Sequence, residues 1–233
     1  MILWNLSLLF EQPLIFLRLI SLITIALLVA ITFHEFSHAL AAHSLGDSTA
    51  ARLGRLSLNP LRHLDPLGTV MIFAAGFGWG KPVPVNPYYL RNGMKAGMAM
   101  VSAAGPLANL ATAALFALPI KARLIAWHPP FQLYPARLDI MWLAADILGY
   151  VIFLSIILAI FNLVPIAPLD GFKVAVGVLP RELSDWWAKT ERYGPMILLL
   201  VIAFSFVTPY NILWGVLNPI VKGLIFLFVG RGL

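Results

Sequence analysis

Long apolar segments separated by short polar ones dominate the chain. The first apolar segment runs from residue 13 to residue 33 with a single charge at Arg18, and it continues into a more polar stretch that ends before Gly46. About 20 consecutive apolar residues span a bilayer as a helix, and glycine commonly ends one. We therefore predict one transmembrane helix over residues 13–45 that carries polar side chains at its far end.

The next segment, residues 47–92, mixes polar and short apolar stretches. Leu alternates with Arg, Ser or Asn over residues 47–65, a pattern that predicts short strands or a small hairpin at the membrane surface. Residues 66–77 are apolar but too few to cross a bilayer, so we predict a re-entrant segment followed by a Gly- and Pro-rich loop.

Three more apolar regions follow. Two of them predict further membrane helices: residues 93–118, which are rich in Ala and Gly, and residues 140–171, which end in a Pro- and Gly-containing loop with Asp170. Residues 194–230 predict a C-terminal helical hairpin. The expected fold is one all-α polytopic membrane domain over residues 1–233, with four to six membrane segments around a three-helix core. No signal peptide and no span before the first helix are expected.

Composition and charge agree with a membrane location. Hydrophobic residues make up 61% of the 233 positions and charged residues 11%, against about 25% charged in soluble domains. The net charge of +6 fits cytosolic loops and lipid headgroups better than nucleic acid, which is not an expected partner. The chain has no cysteine, which excludes disulfides and thiolate metal ligands.

Basic residues are distributed unevenly among the polar regions. Residues 46–96 contain six Lys or Arg and residues 171–193 contain four, against three in residues 119–140. The positive-inside rule then places the first two regions on the cytosolic side.

The segment HEFSH, which begins at His34, has the spacing of a metal site. Helical residues at i and i+4 share one face, so the imidazoles of His34 and His38 can bind one ion. Glu35 projects beside them, where a carboxylate can act as general base toward a water activated by the metal. Because ionisable groups at membrane depth are costly, a metal site is favoured over a merely structural role.

A catalytic zinc site commonly has a third protein ligand. Asp170 is a candidate because it follows an apolar span on the same predicted side as the two histidines, after two prolines that let the backbone turn. Gly171 permits a close approach, although Asp-Gly is also a common turn. The local sequence does not decide between a ligand and a turn at Asp170, and Asp65 is the rival ligand.

The other histidines fit different roles. His63, beside Asp65, fits a surface ion pair or the support of a site. His43 lies on about the opposite helix face from His34, and His128 falls in the opposite loop, where we assign it no role.

The chain contains five motifs over about residues 30–172: HEFSHAL, LNPLRHLDPLGT, GFGWGKPVPVNP, SAAGPLAN and NLVPIAPLDG. Together and in this order they resemble the site-2 protease family of intramembrane metalloproteases, in its compact prokaryotic form without PDZ or CBS domains. The resemblance implies a zinc endopeptidase with one Zn²⁺ per chain. It also implies that His34, His38 and Asp170 are the zinc ligands and that Glu35 is the catalytic base.

By the same resemblance, Asn109 and Asn162 are expected to help position the substrate or a loop near it. A rival role for Asn109 is hydrogen bonding between helices. Part of the Gly- and Pro-rich loop is expected to face the substrate as an extended backbone that pairs with an unwound peptide, unless it is a rigid interfacial turn. This part consists of Lys81, Pro82, Val83 and Pro84.

The implied function is hydrolysis of peptide bonds in or near transmembrane segments of membrane proteins, in regulated intramembrane proteolysis or membrane-protein clearance. Expected partners are those segments and the lipid bilayer, with a homo-oligomer left open. The expected location is the prokaryotic inner membrane, with the active site toward the cytosol. Two alternatives are a membrane zinc peptidase that uses Glu182 or Glu191 as third ligand, and a membrane metal-ion transporter. A transporter needs no base between its histidines.

Overall fold

The computed structural model describes four stretches of the chain, residues 6–75, 78–132, 139–207 and 212–233. Within them, three helices are long and apolar enough to span a membrane: α2 (Pro13–Ser44), α5 (Met94–Lys121) and α6 (Ile140–Asn162). The remaining helices are α1 (Leu6–Glu11), α3 (Thr49–Arg52), α4 (Pro66–Ala75), α7 (Asp170–Val178), α8 (Arg181–Ala188), α9 (Gly194–Val207) and α10 (Ile212–Val229). The chain is therefore an all-α polytopic membrane protein, as predicted; the number of membrane segments stays a prediction.

The first long helix, α2, follows its predicted bounds closely. Pro13 occupies the first helical position, where a missing N–H is tolerated. Gly46 has a φ of +109° and turns the chain just beyond the helix end. The 32 residues of α2 make a helix about 48 Å long, whereas the hydrocarbon core of a bilayer is about 30 Å thick.

α5 lies at the centre of the bundle and packs against α2, α6, α7 and α10. Small residues dominate its buried face, and Ala113 and Ala117 are completely buried. Small side chains let helix backbones approach closely, which is how membrane helices gain packing contacts. The helix continues to Lys121, three residues beyond its predicted end.

The surface hairpin predicted for residues 47–65 is not confirmed. The described residues of this region form α3, a 3-10 turn at Pro60–Arg62 and irregular backbone, with one isolated antiparallel bridge from Leu64 to Gly80. Polar side chains in this region accept hydrogen bonds from nearby backbone N–H groups. Such local bonds favour turns over a strand ladder.

The predicted re-entrant segment is largely helical. α4 has 10 residues and is about 15 Å long, too short to cross the hydrocarbon core. Residues 76–77 of this prediction lie outside the described residues, and re-entry itself stays a prediction.

Residues 140–171 were predicted to form a helix that ends in a loop carrying Asp170. α6 stops at Asn162, and residues 163–169 form a turn that contains Pro165 and Pro168, since proline cannot continue a helix. Asp170 follows this turn as the first residue of α7.

A buried ionic cluster joins α2 and α6 far from the HEFSH segment. The Arg18 guanidinium donates to Asp146 of α6, and the other carboxylate oxygen of Asp146 lies 2.7 Å from His128 Nδ1. The ion pair with Asp146 explains why Arg18 is tolerated within the apolar run of α2, because a charge inside a membrane protein needs a counter-charge. His128 thereby gains a structural role that the sequence did not indicate.

The last two helices contact residues that are distant in the sequence. Gly194, the first residue of α9, packs against Ala167 in the turn before α7. Lys121 Nζ, at the opposite end of α5, lies 3.4 Å from the Leu227 carbonyl oxygen of α10. α9 and α10 also contact each other, and the hairpin predicted for residues 194–230 stays a prediction.

Candidate metal centre

Three side chains from two distant parts of the sequence converge between α2 and α7. His34 Nε2 lies 3.0 Å from His38 Nε2 and 3.0 Å from Asp170 Oδ2, and His38 Nε2 lies 3.1 Å from the same oxygen. Both histidines are buried. These are the three residues that the resemblance implied as ligands, and they form the one cluster of its kind among the described residues.

The protonation of His38 makes this cluster suited to a cation. His38 Nδ1 lies 2.7 Å from the Val101 carbonyl oxygen, which can only accept, so Nδ1 carries the proton of the neutral ring. Nε2 then directs a lone pair toward Asp170 and His34. Three acceptor atoms about 3 Å apart repel one another unless a cation lies between them, and zinc binds such nitrogen and oxygen atoms at about 2 Å.

Asn109 orients the second imidazole. Its Nδ2 lies 3.1 Å from His34 Nδ1, and its fully buried Oδ1 has no hydrogen-bond partner among the described residues. Rotation of the amide by 180° exchanges these two atoms. Oδ1 would then accept from a protonated Nδ1 and leave His34 Nε2 free to bind a metal. This contact corresponds to the inter-helix hydrogen bond that was the rival role for Asn109.

One helix therefore supplies both partners of the histidines. Val101 and Asn109 are two turns apart on α5, and His34 and His38 are one turn apart on α2, with the order reversed because the helices run antiparallel. Outer partners of this kind fix the tautomer and the direction of a metal-binding imidazole.

Gly105 is a site residue that the sequence analysis missed. A Cβ built on Gly105 would lie 2.4 Å from His38 Nε2 and 2.7 Å from His34 Cε1. Both rings thus occupy the space that a side chain would fill. Glycine within the SAAGPLAN motif of an apolar helix was the available signal, because such a glycine often marks a close approach.

We expect Gly105→Ala to lower zinc affinity by at least about tenfold, because the added methyl must displace two of the three candidate ligands. Bound zinc per chain, measured by elemental analysis during titration with a competing chelator, checks this. Gly215→Ala is the matched control, since a Cβ there meets no atom within 4 Å. Equal zinc affinity in the Gly105 variant and wild type would contradict the packing argument.

The turn after α6 brings Asp170 to the histidines. A Cβ built on Gly171 would lie 2.2 Å from the Leu163 carbonyl oxygen and 2.6 Å from that of Val164. The start of α7 thus rests directly on the end of α6, and a side chain at position 171 would push it away. The close approach predicted for this glycine is present.

Glu35 lies beside the predicted substrate-facing loop. A Cβ built on Gly80 would lie 3.2 Å from Glu35 Oε1 and 3.3 Å from the His63 carbonyl oxygen. The next residues of the loop, Lys81 and Pro82, present their carbonyl oxygens to the Arg55 guanidinium at 2.8 and 2.9 Å. The loop that contains Lys81, Pro82, Val83 and Pro84 thus begins next to the predicted base.

Several other candidates lie outside the centre. Asn162 Nδ2 donates to the Leu158 carbonyl oxygen of its own helix at 2.9 Å. Asp65 accepts from the Gly68 N–H at the start of α4, a bond that argues against its role as rival ligand. His43 Nδ1 lies 3.2 Å from Ser48 Oγ on an exposed surface. Glu182 and Glu191 are exposed in and after α8, and the cluster does not include them.

Comparisons with known proteins identify the family of this chain. The family description "Peptidase family M50" matches residues 130–205, which include Asp170. A Bacillus subtilis (strain 168) protein named "Putative zinc metalloprotease YwhC" is 36% identical over 204 residues, which cover 87% of this chain and 88% of that protein. The protein named "Putative zinc metalloprotease Rip2" of Mycobacterium tuberculosis (strain H37Rv) is 30% identical over 196 residues, covering 82% of this chain and 70% of the relative. No solved structure matches the chain. With a relative so similar over most of both sequences, this chain belongs to peptidase family M50, the site-2 proteases, and is a zinc metalloprotease of the membrane.

Proposed function

We propose that the chain hydrolyses peptide bonds in or near transmembrane segments of other membrane proteins, with His34, His38 and Asp170 as zinc ligands and Glu35 as the base. The observation that carries the proposal is the convergence of the three ligand atoms within about 3 Å in a bundle of helices long enough to span a membrane. A soluble peptidase has no need to build its metal centre in such a bundle.

The residues of the centre have different roles in peptide hydrolysis. A zinc ion held there supplies Lewis-acid chemistry, which polarises a carbonyl group and makes water nucleophilic near neutral pH. Glu35 takes one proton from the water whose oxygen bonds to the scissile carbonyl carbon. It then gives that proton to the leaving amine nitrogen as the carbon–nitrogen bond breaks. Asn109 and the Val101 carbonyl hold the two imidazoles in one orientation throughout.

The substrate must unwind before it can react. A helical peptide bond is shielded by its own hydrogen bonds and by neighbouring side chains, so an extended stretch has to form beside the zinc site. The loop that begins at Gly80 supports this step, because it passes next to Glu35 and carries prolines that favour an extended backbone. Strand addition to such a backbone is a common mode of peptide binding.

The centre is proposed to open toward the cytosol. The loops at the end of the bundle that carries the site contain six and four basic residues, in residues 46–96 and 171–193, against three in residues 119–140. The positive-inside rule supports this orientation in a prokaryotic inner membrane. Water would then reach the zinc site through a polar path on that side.

The experiment that tests the proposal is cleavage in proteoliposomes. The purified chain is reconstituted with a single-span membrane protein reporter and, separately, with the same cleavage region joined to soluble domains. We expect cleavage of the membrane-embedded reporter, its loss when a chelator removes zinc, and its return when one zinc per chain is restored. Cleavage that continues after elemental analysis shows no zinc would contradict the mechanism, and equal cleavage of the soluble reporter would contradict the substrate class.

The same vesicles address the transporter alternative. Zinc entry into the lumen would be followed with a trapped fluorescent indicator. The proposal expects no zinc flux above that of empty vesicles, whereas flux without cleavage would favour a transporter.

A further inference from the structure

The segment Lys81–Asn86 is fixed at its first end by a buried arginine. Arg55 is only 6% exposed, and its Nη2 donates to the carbonyl oxygens of Lys81 and Pro82. The Lys81 N–H donates to the His63 carbonyl oxygen at 2.8 Å. Among the described residues, no carboxylate forms an ion pair with Arg55. A buried guanidinium without a counter-ion is costly, and here the segment's backbone provides the acceptors.

A buried aspartate fixes the other end of the segment. Asp47 has no exposed surface, and its Oδ2 accepts the Asn86 N–H at 2.7 Å while its Oδ1 accepts the Thr49 N–H. Burial alone would raise the pKa of Asp47, but the hydrogen bonds from Thr49 and Asn86 outweigh it and hold the pKa below its usual range. The carboxylate is therefore ionised at neutral pH. The backbone N–H of Asp47 donates to the Ala42 carbonyl oxygen, which connects this end of the segment to α2.

The prolines in the middle of the segment favour an extended backbone with one edge suited to pairing. Proline disfavours helical backbone in the residue before it, which favours extended backbone at Lys81 and Val83. In extended backbone, alternate residues direct N–H and C=O to the same edge. Pro82 and Pro84 have no N–H, so their edge cannot form a full ladder. Val83 and Val85 share the other edge, and no hydrogen bond joins their backbone groups to another described residue.

The fixed segment starts beside the proposed base. Gly80 immediately precedes it, and the Cβ position of Gly80 is 3.2 Å from Glu35 Oε1. A peptide paired with Val83 and Val85 would run alongside the segment, and its position along that edge would decide which of its bonds comes next to Glu35. A shift of the segment would therefore change where the substrate is cut.

We propose that Arg55 and Asp47 are positioning residues that hold residues 81–86 as a docking strand for the unwound substrate, with Val83 and Val85 as its pairing residues. This inference rests on the proposed function, because it needs a peptide substrate at Glu35. Arg55 and Asp47 lie outside the zinc site but would control the position of the substrate along the docking strand.

The test measures cleavage position as well as rate. Arg55→Met and Asp47→Asn are assayed in proteoliposomes on the membrane-embedded reporter, and the fragments are identified by mass spectrometry. We expect one zinc per chain, a KM at least about tenfold higher because a charged hydrogen-bonding partner is lost, and additional cleavage sites displaced along the substrate. A general loss of structure would lower the rate at the original site without adding new sites.

Arg62→Met is the matched control for Arg55→Met. Arg62 lies on the same surface region, is exposed, and donates to the Gly54 carbonyl oxygen and not to the 81–86 segment. Unchanged KM and unchanged fragments in both Arg55→Met and Asp47→Asn would overturn the inference. Absence of zinc-dependent cleavage by the wild-type chain would instead overturn the proposed function.

Val85→Pro keeps the inference testable if a buried variant fails to fold. This substitution removes one N–H from the pairing edge of a partly exposed segment. We expect the same rise in KM as in the Arg55 and Asp47 variants. A Val85→Pro chain with wild-type KM would exclude backbone pairing at this edge.

Discussion

Replacement of Glu35 by Gln is expected to abolish cleavage while leaving zinc bound. Gln has nearly the same shape as Glu but cannot take a proton from water at neutral pH, and a general base contributes about 10²–10⁴ to the rate of such reactions. The three proposed ligands are untouched. We expect reporter cleavage to fall by about 1,000-fold or more, measured by fragment accumulation in proteoliposomes, with one zinc per chain by elemental analysis.

Glu182→Gln is the control for this result, because Glu182 is an exposed residue of α8. It should cleave and bind zinc like wild type, which would also remove Glu182 as a rival zinc ligand. Cleavage by the Glu35 variant within about tenfold of wild type would take the role of base away from Glu35. An inactive variant that retains zinc would also be suited to trap substrates from membranes.

Replacement of Asp170 by Ala is the second large effect that we expect. The change removes one of the three proposed ligands and leaves two imidazoles one helical turn apart. Changes to outer partners of a zinc site already weaken metal binding by about 10–100-fold, so loss of a ligand should weaken it by more than about 100-fold. Zinc titration against a chelator measures the affinity, and cleavage should be lost with the metal.

Asp185→Ala provides a matched carboxylate deletion. Asp185 follows α7 in the chain, is exposed, and pairs with Lys95 at 2.6 Å. Its removal should leave zinc content and cleavage unchanged. Wild-type zinc stoichiometry in Asp170→Ala would assign the third ligand to another residue and would require a new account of the cluster.

The parts of the fold that depend on local pattern were predictable from the sequence. The apolar run before His34 gave α2 to within one residue of its end, because length and hydrophobicity suffice to define a transmembrane helix. The strands expected over residues 47–65 failed because alternation of Leu with polar residues also arises in turns held by Asp and Asn side chains. The contacts of Gly194 with Ala167 and of Lys121 with Leu227 join residues distant in the sequence, so local pattern did not indicate them.

The candidate site was predictable to a different degree for each residue. The HEFSH spacing identified two histidines and a glutamate because their relation is local to one helix. Local sequence left Asp170 open between a ligand and a simple turn, and the family resemblance favoured the ligand; the structure brings Asp170 to within about 3 Å of both imidazoles. The contribution of Val101 was not predictable, because every residue has a backbone carbonyl and the residue type does not show which one binds a histidine. The role of Arg55 was not predictable for the same reason, since its partners are also backbone carbonyl oxygens.

The antiparallel pairing of α2 with α5 couples metal affinity to helix association. A single helix orients both imidazoles and also provides, at Gly105, the space that they occupy. An axial slide of α5 by one turn would therefore misdirect both rings together, and zinc would be released in one step. By thermodynamic linkage the converse holds as well: an ion that binds the assembled bundle more tightly than a loosened one stabilises the assembly. The zinc needed for catalysis would therefore also stabilise the packing of the helices around it.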